Sequence, residues 1–351
     1  MAEKVRIGIN GFGRIGRVTC RAILEEYSEQ LEVVAVNDLF PVATNAHLFK
    51  YDTNYGTFPG EVECDEHNLI VNGCKIRVYE EKDPANIPWG DHGVDIVLEC
   101  TGVFRDGAQA AAHLKGGVKK VIISAPPRPS GSAKTLVLGV NEDTYDPAEH
   151  HVLSNASCTT NCLAPLAKAL HEEFCIVQGF MTTIHAYTND QRVMDQAHKD
   201  LRRARAAAAN IIPTSTGAAA AIGLVIPDLE GKLDGIALRV PTTTVSVVDL
   251  VCTVETELVS DPKDKEQRQK AIEQVNEALQ RRADGTYLAV CAEELVSGDF
   301  KGDPRSSIVD LPSTNVIGPN MVKVLAWYDN EWAYSCRLAE LAQYAVDRFC
   351  T

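Results

Sequence analysis

Cys158 lies in a run of small and hydroxyl-bearing residues, 154–162 with the sequence SNASCTTNC, just before an apolar pattern with helical spacing. A cysteine at the start of a helix can react as a thiolate, because the helix dipole and the unpaired N–H groups favour negative charge there. This position predicts a thiol whose pKa is lowered from about 8.5 toward ~6. A buried packing cysteine is the commoner role for this residue type, but the hydroxyl-rich surroundings favour a nucleophile.

A cysteine nucleophile needs a base, and His185 is placed to be one. It follows the apolar run 179–184 and precedes the polar residues 186–190. A histidine at the end of a strand faces a cleft, where its imidazole can exchange protons near neutral pH. The other candidates, His113 and His198, lie on helical or basic stretches and are expected to be solvated. Cys158 and His185 together predict nucleophilic catalysis.

Gly11, Gly13 and Gly16 form a GxGxxG motif between a buried strand pattern and an apolar helix pattern. In this context the motif aims backbone N–H groups at a pyrophosphate held at the helix N-terminus. Asp38 ends the second strand pattern, 38 − 16 = 22 residues after the last glycine. An acid at that place binds a ribose 2′-OH and repels a 2′-phosphate. The motif therefore predicts NAD binding, with NAD preferred over NADP.

The elements that must carry these residues differ along the chain. Over residues 1–157 short apolar strands alternate with helical stretches such as 109–115, which predicts an α/β fold with a Rossmann-type doubly wound parallel sheet. Residues 158–329 have longer alternating strands and a clear helical pattern at 263–282, which predicts a second, α+β catalytic domain with a mostly antiparallel sheet. An amphipathic helix within 330–351 is expected to return to the NAD-binding domain.

Composition excludes several classes of protein. The 351 residues carry 34 Lys and Arg against 48 Asp and Glu, a net charge of −14, which argues against a nucleic acid as the main partner. No run of 18 clean apolar residues predicts a membrane span. The 11 cysteines, with no signal-peptide pattern and no CxxC pair, favour reduced thiols in a cytoplasmic protein without a metal site.

Six segments give the chain a resemblance to one enzyme family. They are 10–17 (NGFGRIGR), 154–165 (SNASCTTNCLAP), 185–190 (HAYTND), 198–206 (HKDLRRARA), 214–219 (TSTGAA) and 328–332 (YDNEW). Together they resemble the phosphorylating glyceraldehyde-3-phosphate dehydrogenases. The resemblance implies oxidation of D-glyceraldehyde 3-phosphate to 1,3-bisphosphoglycerate in glycolysis or gluconeogenesis. NAD would be reduced, and inorganic phosphate would attack a thioester on Cys158.

The resemblance also implies roles for individual residues. His185 would stabilise the thiolate and take the hydroxyl proton during oxidation. The residues implied for the substrate phosphate are Thr188 and Arg239, with Arg203 near both phosphates. The residues implied for the attacking phosphate are Ser157, Thr159, Thr216 and Gly217. The residues implied for NAD are Gly11, Gly13, Arg14, Ile15, Gly16, Asp38, Lys82, Ser124 and Asn330.

A homotetramer is implied as well, and the residues themselves point the same way. The polar, Arg-rich segment 188–210 is too long to stand as a free loop in a compact domain, so it needs a partner surface. Gln196 and Ala197 replace the Leu-Pro of strict NAD users, so the preference for NAD depends on Asp38.

Two other functions stay open. Erythrose-4-phosphate dehydrogenase is a close relative that hydrolyses its thioester, and the full set of Ser157, Thr159 and Thr216 argues against it. A non-catalytic NAD-binding redox sensor would use Cys158 only as an oxidisable thiol. The presence of Cys158, His185, Thr188 and Arg239 together argues against that alternative.

Overall fold

The computed structural model describes residues 4–348, and its contacts divide them into two compact units. The first unit comprises the described residues up to Leu136, Glu142–Ser157 and the described residues from Ser335 onward. The second comprises Val137–Asn141 and Cys158–Tyr334. Residues 349–351 of the predicted C-terminal helix lie outside the described part of the chain.

The first unit is built on a nine-stranded sheet in the order β10-β11-β9-β8-β1-β2-β7-β6-β5. The strands of this unit are β1 (Val5–Asn10), β2 (Leu31–Asn37), β3 (Tyr51–Asp52), β4 (Gly56–Thr57), β5 (Val62–Cys64), β6 (Asn68–Val71), β7 (Cys74–Tyr79), β8 (Ile96–Glu99), β9 (Lys120–Ile123), β10 (Lys134–Thr135) and β11 (Val152–Ser154). Its helices are α1 (Arg14–Glu26), α2 (Val42–Lys50) and α3 (Gly107–Ala110). β3 and β4 form a separate two-stranded ribbon.

The central strands of this sheet are parallel and buried. Every residue of β8 and β9 is buried, as expected for parallel strands covered on both faces. β1 pairs in parallel with both β2 and β8, so the strand before the GxGxxG motif lies near the middle of the sheet. Only the β5–β6 and β6–β7 pairs are antiparallel. The predicted Rossmann-type α/β fold is confirmed.

The helical stretch predicted at 109–115 is found at 107–113 as a short α-helix and a 3-10 turn, and the expectation that His113 is solvated is wrong. The α-helix here is the four-residue α3, followed by a tight 3-10 turn over Ala111–His113, and Gly116 then takes a left-handed conformation with φ 60°. His113, which was expected to be solvated, is fully buried between Trp89 and Glu99. Alanine content predicts helix, but this segment is too short to continue as one before the glycines.

The second unit contains a seven-stranded sheet in the order β13-β14-β12-β15-β18-β17-β16. Its strands are β12 (Ile176–Ala186), β13 (Ile212–Ser215), β14 (Leu233–Val240), β15 (Ser246–Val254), β16 (Leu288–Cys291), β17 (Ser307–Ile317) and β18 (Met321–Tyr328). Its helices are α4 (Cys158–Phe174), α5 (Ile222–Val225) and α6 (Lys265–Arg282), and α7 (Trp332–Val346) begins here and belongs to the first unit from Ser335 onward. Four of the six strand pairs are antiparallel, which confirms the predicted mostly antiparallel sheet.

Helices α4 and α6 pack on this sheet through apolar faces. α4 buries a stripe that includes Leu163, Leu166 and Leu170. α6 begins two residues later than the sequence pattern predicts, because Asp264 caps it by accepting hydrogen bonds from the N–H groups of Glu266 and Gln267. No helix within residues 4–348 is long and apolar enough to cross a membrane.

Candidate active site

A tight turn places Cys158 at the start of α4. Ala156 adopts φ 54°, a left-handed conformation that costs a non-glycine residue about 1 kcal/mol. The Ser154 hydroxyl stabilises the turn, because its Oγ accepts a hydrogen bond from Ala156 N and donates one to Ala125 O. The next residue, Ser157, is half-buried, and Cys158 is the first residue of the helix.

Cys158 and His185 meet as predicted from their sequence contexts. The Sγ atom of Cys158 lies 3.4 Å from Nε2 of His185, which is buried near the end of β12. Nδ1 of His185 lies 2.6 Å from Ala186 O and can donate its proton there. In the tautomer with the proton on Nδ1, Nε2 is an acceptor that faces the thiol. Arg239 on β14 lies beside the pair, with Nη1 3.1 Å from Ala186 O and 2.6 Å from His185 Nδ1. Because a guanidinium only donates, the contact with Nδ1 favours the opposite tautomer, which has its proton on Nε2.

The electrostatics of this pair differ from the sequence prediction. Burial raises the pKa of Cys158, and the Arg239 charge and hydrogen bonds from Thr159 only partly oppose it. The expectation that the helix N-terminus lowers this pKa toward ~6 is therefore wrong. Burial, together with Arg239, lowers the pKa of His185 to about 3. Burial thus disfavours a lone thiolate on Cys158 and a lone imidazolium on His185. Transfer of the thiol proton to His185 forms both ions together and leaves the net charge of the pair at zero.

The lowered pKa of His185 predicts a dependence of stability on pH. A histidine that stays neutral in the folded protein but takes a proton in the unfolded chain stabilises the fold above pH ~6.5, and this contribution is lost as the pH falls toward ~3. Relative to His185→Asn, the wild type should lose about 2 kcal/mol of unfolding free energy between pH 8 and pH 5. Equilibrium urea unfolding of both proteins at the two pH values measures the difference, and an equal loss in both would refute the assignment.

Tyr328, on β18, joins the helix and the strand that carry the pair. Its buried hydroxyl lies 2.9 Å from Thr159 Oγ1 on α4 and 2.9 Å from Thr183 Oγ1 on β12. Its ring packs edge-on against the imidazole of His185, with centroids 6.0 Å apart. The sequence patterns indicated no role for Tyr328 or Thr183. The resemblance segment YDNEW contains the tyrosine, but only the fold brings it to Thr159.

Four of the residues implied for phosphate binding fall into two groups. Thr159 belongs with Cys158, His185 and Arg239. Thr188 and Arg203 gather instead around Asp190, whose carboxylate accepts hydrogen bonds from Thr188 Oγ1 and Arg203 Nη1. The pKa of Asp190 is lowered despite partial burial, by the Thr188 hydroxyl and by the charges of Arg239 and Arg203. Asp190, which had no assigned role, thus orients two residues of the proposed phosphate site.

Thr216 and Gly217 lie in the loop after β13. Thr216 Oγ1 accepts a hydrogen bond from Ala218 N within its own loop, and Gly217 is exposed. A Cβ atom at Gly217 would meet no protein atom within 4 Å. Arg203 Nε donates to Thr214 Oγ1 at 2.9 Å, which ties the Asp190 group to this segment.

Asn330 is held by a residue that the sequence did not single out. Ser246 on β15 accepts a hydrogen bond from Ala186 N and donates one to Asn330 Oδ1 at 2.9 Å. Because Oδ1 of Asn330 is used as an acceptor, its Nδ2 group is the part that can donate to a ligand. This orientation suits recognition of a carboxamide oxygen.

In the first unit, the GxGxxG turn fits a dinucleotide. Gly11 has φ 89°, and a Cβ there would lie 2.7 Å from Thr101 N, so only glycine fits. A Cβ at Gly16 would lie 2.1 Å from Gly11 O. By contrast, a Cβ at Gly13 would meet no protein atom within 4 Å, and α1 starts there without a side-chain cap. The start of α1 is therefore open to an anion such as a pyrophosphate.

Asp38 lies beside this turn. Its Oδ2 accepts a hydrogen bond from Phe12 N at 2.8 Å, and its Oδ1 accepts one from Phe40 N at 3.1 Å. Both oxygens keep a second lone pair, so the carboxylate can still accept hydrogen bonds from ribose hydroxyls.

The other residues implied for NAD are spread over the same unit. Arg14 and Ile15 form the first turn of α1, and the Arg14 guanidinium is paired with Asp52. Lys82 is exposed, three residues after β7. Ser124 directly follows β9 and is hydrogen-bonded to Cys100. Within residues 4–348 no cluster of three or more His, Cys, Asp or Glu side chains could hold a metal ion.

Comparison with known proteins agrees with this arrangement. Residues 5–107 match the family model for the glyceraldehyde 3-phosphate dehydrogenase NAD binding domain, and residues 157–330 match the model for the C-terminal domain. The glyceraldehyde-3-phosphate dehydrogenase of Geobacillus stearothermophilus is 55% identical over 347 residues, which cover 98% of this chain and 99% of that relative. Glyceraldehyde-3-phosphate dehydrogenase 2 of Streptomyces avermitilis is 54% identical over 343 residues, which cover 97% of this chain and 98% of that relative. The chain belongs to the glyceraldehyde-3-phosphate dehydrogenase family.

Proposed function

We propose that the protein oxidises D-glyceraldehyde 3-phosphate to 1,3-bisphosphoglycerate, with NAD as hydride acceptor and inorganic phosphate as second substrate. The observation that carries this proposal is the 3.4 Å approach of Cys158 Sγ to His185 Nε2 beside Arg239, in a chain of this family. A half-buried thiol with a proton acceptor in contact is the arrangement needed for covalent attack on an aldehyde.

His185 moves the protons in this mechanism. It accepts the Cys158 proton as Sγ bonds to the aldehyde carbon, and it returns that proton to the new alkoxide, which gives a hemithioacetal. It then takes the hydroxyl proton while the carbon loses a hydride and the thioester forms. Bound NAD supplies the hydride acceptor. An oxygen of inorganic phosphate attacks the thioester carbon, and Cys158 leaves as a thiolate next to protonated His185.

The charges near the pair support binding of two phosphates. Arg239 and Arg203 are permanent cations with forked N–H donors that suit phosphate oxygens. Thr188 and Arg239 would hold the substrate phosphate, and Ser157, Thr159, Thr216 and Gly217 would hold the attacking phosphate. Asp190 keeps Thr188 and Arg203 in place until an anion competes for their donors.

We assign three functional segments to the chain. Residues 1–157 bind NAD, residues 158–329 carry the catalytic groups, and residues 330–351 are the C-terminal segment, whose helix α7 belongs with the NAD-binding domain. The grouping of α7 with the first unit from Ser335 onward supports the last assignment. We also place the protein in the cytoplasm, because the ten cysteines among the described residues are free thiols.

The activity assay compares glyceraldehyde 3-phosphate with erythrose 4-phosphate, each in the presence and in the absence of inorganic phosphate. NADH formation from glyceraldehyde 3-phosphate should depend on inorganic phosphate, and erythrose 4-phosphate should be a much poorer substrate. Equal rates with and without phosphate, or a preference for erythrose 4-phosphate, would show that the thioester is hydrolysed and that the alternative enzyme is correct.

The preference for NAD should depend on Asp38. Its carboxylate would meet the 2′-phosphate of NADP, and two like charges with little solvent between them cost a few kcal/mol. Asp38→Ala should therefore reduce the ratio of kcat/KM values for NAD and NADP by about tenfold or more. Steady-state kinetics with both coenzymes measure the ratio. Equal efficiency of the wild type with NADP would contradict the assignment and point to Gln196 and Ala197 instead.

The protein should be a homotetramer. In the segment 188–210, Val193, Met194 and Leu201 are 83%, 74% and 82% exposed, and such apolar side chains are typical of a subunit interface. Closed symmetry would bring a second copy against each segment. Light scattering at micromolar concentration should give about four times the chain mass of 38.2 kDa. A fully active monomer would overturn the interface role of this segment.

A further inference from the structure

A buried polar network outside the catalytic pair lies under the proposed cofactor turns. Three neighbouring parallel strands, β2, β1 and β8, end in Asn37, Asn10 and Glu99, which are 3%, 2% and 1% exposed. Asn37 Nδ2 donates to Asn10 Oδ1 at 2.8 Å, and Asn10 Nδ2 donates to Glu99 Oε2 at 2.6 Å. One continuous chain of hydrogen bonds therefore crosses the carboxyl ends of three strands.

His113 and Trp89 complete this network and fix its direction. The indole N–H of Trp89 can only donate, and it lies 3.0 Å from His113 Nδ1. Nδ1 must then be the acceptor, so His113 Nε2 carries a proton and donates it to Glu99 Oε2 at 3.1 Å. The carboxylate of Glu99 receives donors on both oxygens, since Thr101 N donates to Oε1 at 2.9 Å.

Three members of the network, Asn10, Asn37 and Glu99, adjoin or hold segments that carry proposed cofactor residues. Asn10 precedes Gly11, and Asn37 precedes Asp38. Asn37 also exchanges two hydrogen bonds with the backbone of Glu81, the residue before Lys82. Glu99 holds Thr101 N, the atom that a Cβ at Gly11 would approach to 2.7 Å. If Glu99 shifted, Thr101 would shift with it. The backbone of Thr101 lies so close to Gly11 that the glycine turn would then have to move as well.

We propose that Glu99 and His113, acting through Asn10 and Asn37, are positioning residues that set the affinity for NAD. They touch neither the cofactor nor the reacting atoms. They hold the Gly11 turn, Asp38 and the segment before Lys82 in the geometry that binds a dinucleotide. This inference rests on the proposed location of the cofactor site.

The test measures NAD affinity by titration calorimetry in full-length variants. Glu99→Gln replaces one acceptor oxygen with a donor that faces other donors, and His113→Leu removes the donor to Glu99. Both should raise the Kd for NAD about tenfold or more. His113→Gln keeps a donor group and should restore most of the affinity. Alkylation of Cys158 by iodoacetamide without NAD should keep its wild-type rate in all three variants.

Lys120→Met is the matched control. Lys120 is also buried in this sheet, but it starts β9 at the amino end and donates to His150 O at 3.0 Å. Its loss should lower the melting temperature while the Kd for NAD stays within about twofold of wild type. An equal rise in Kd in Lys120→Met, at a similar loss of stability, would overturn the proposal.

The proposal also fails if Glu99→Gln and His113→Leu bind NAD with wild-type affinity. If Glu99→Gln does not fold, the comparison of His113→Leu with His113→Gln decides. Asp38→Ala separates this failure from failure of the cofactor site itself. Weakened NAD binding in Asp38→Ala alone would refute only the network, whereas unchanged binding in every variant would refute the proposed site.

Discussion

Cys158→Ser should abolish the oxidation of glyceraldehyde 3-phosphate, with a loss in kcat of at least about a thousandfold. A serine hydroxyl ionises far less readily than a thiol, and here burial disfavours the anion further. NAD binding should stay nearly intact, because Cys158 is not among the residues proposed to bind NAD. The measurement is NADH formation together with calorimetric titration of NAD.

Cys162→Ser is the control for this prediction. Cys162 lies one turn further along α4 and is fully buried, with its Sγ near Ser307 Oγ and Ala326 O. It should keep most of the activity, because it packs in the interior and contacts neither His185 nor Arg239. If Cys158→Ser retained more than a few per cent of the activity, or if Cys162→Ser lost as much, the nucleophile would be misassigned.

His185→Asn should lower kcat by about 10²–10⁴-fold and leave slow residual turnover. Without the imidazole, no acceptor lies 3.4 Å from Sγ to take the thiol proton, although Arg239 still favours the thiolate. Alkylation of Cys158 by iodoacetamide should therefore slow at neutral pH, and its pH profile should move to higher pH. An unchanged alkylation profile would mean that His185 does not accept this proton.

The parts predicted well from sequence depend on local spacing. The GxGxxG motif, its flanking strand and helix and the distance to Asp38 are all encoded within about one βαβ unit. The start of α4 at Cys158 and the strand that ends near His185 are similarly local. The six segments that resemble the enzyme family are distributed over nearly the whole chain, so they indicated the family of both domains.

The parts that the sequence did not predict depend on contacts between distant residues. Tyr328 meets Thr159 across 169 positions, and Ser246 meets Asn330 across 84. The pKa of Cys158 was mispredicted because the helix start is visible in sequence, whereas the burial that raises the pKa comes from the folded chain. His113 was mispredicted for the same reason, since its partners Trp89 and Glu99 lie outside its own segment.

Mass spectrometry of the peptide that contains Cys158 tests the central claim most directly. The protein is incubated with glyceraldehyde 3-phosphate and NAD in phosphate-free buffer, quenched in acid and digested. The thioester mechanism predicts a 3-phosphoglyceroyl group on Cys158 that disappears when inorganic phosphate is added before the quench, and that is absent in Cys158→Ser. An unmodified Cys158 peptide after stoichiometric NADH formation, or an acyl group on another residue, would contradict the mechanism.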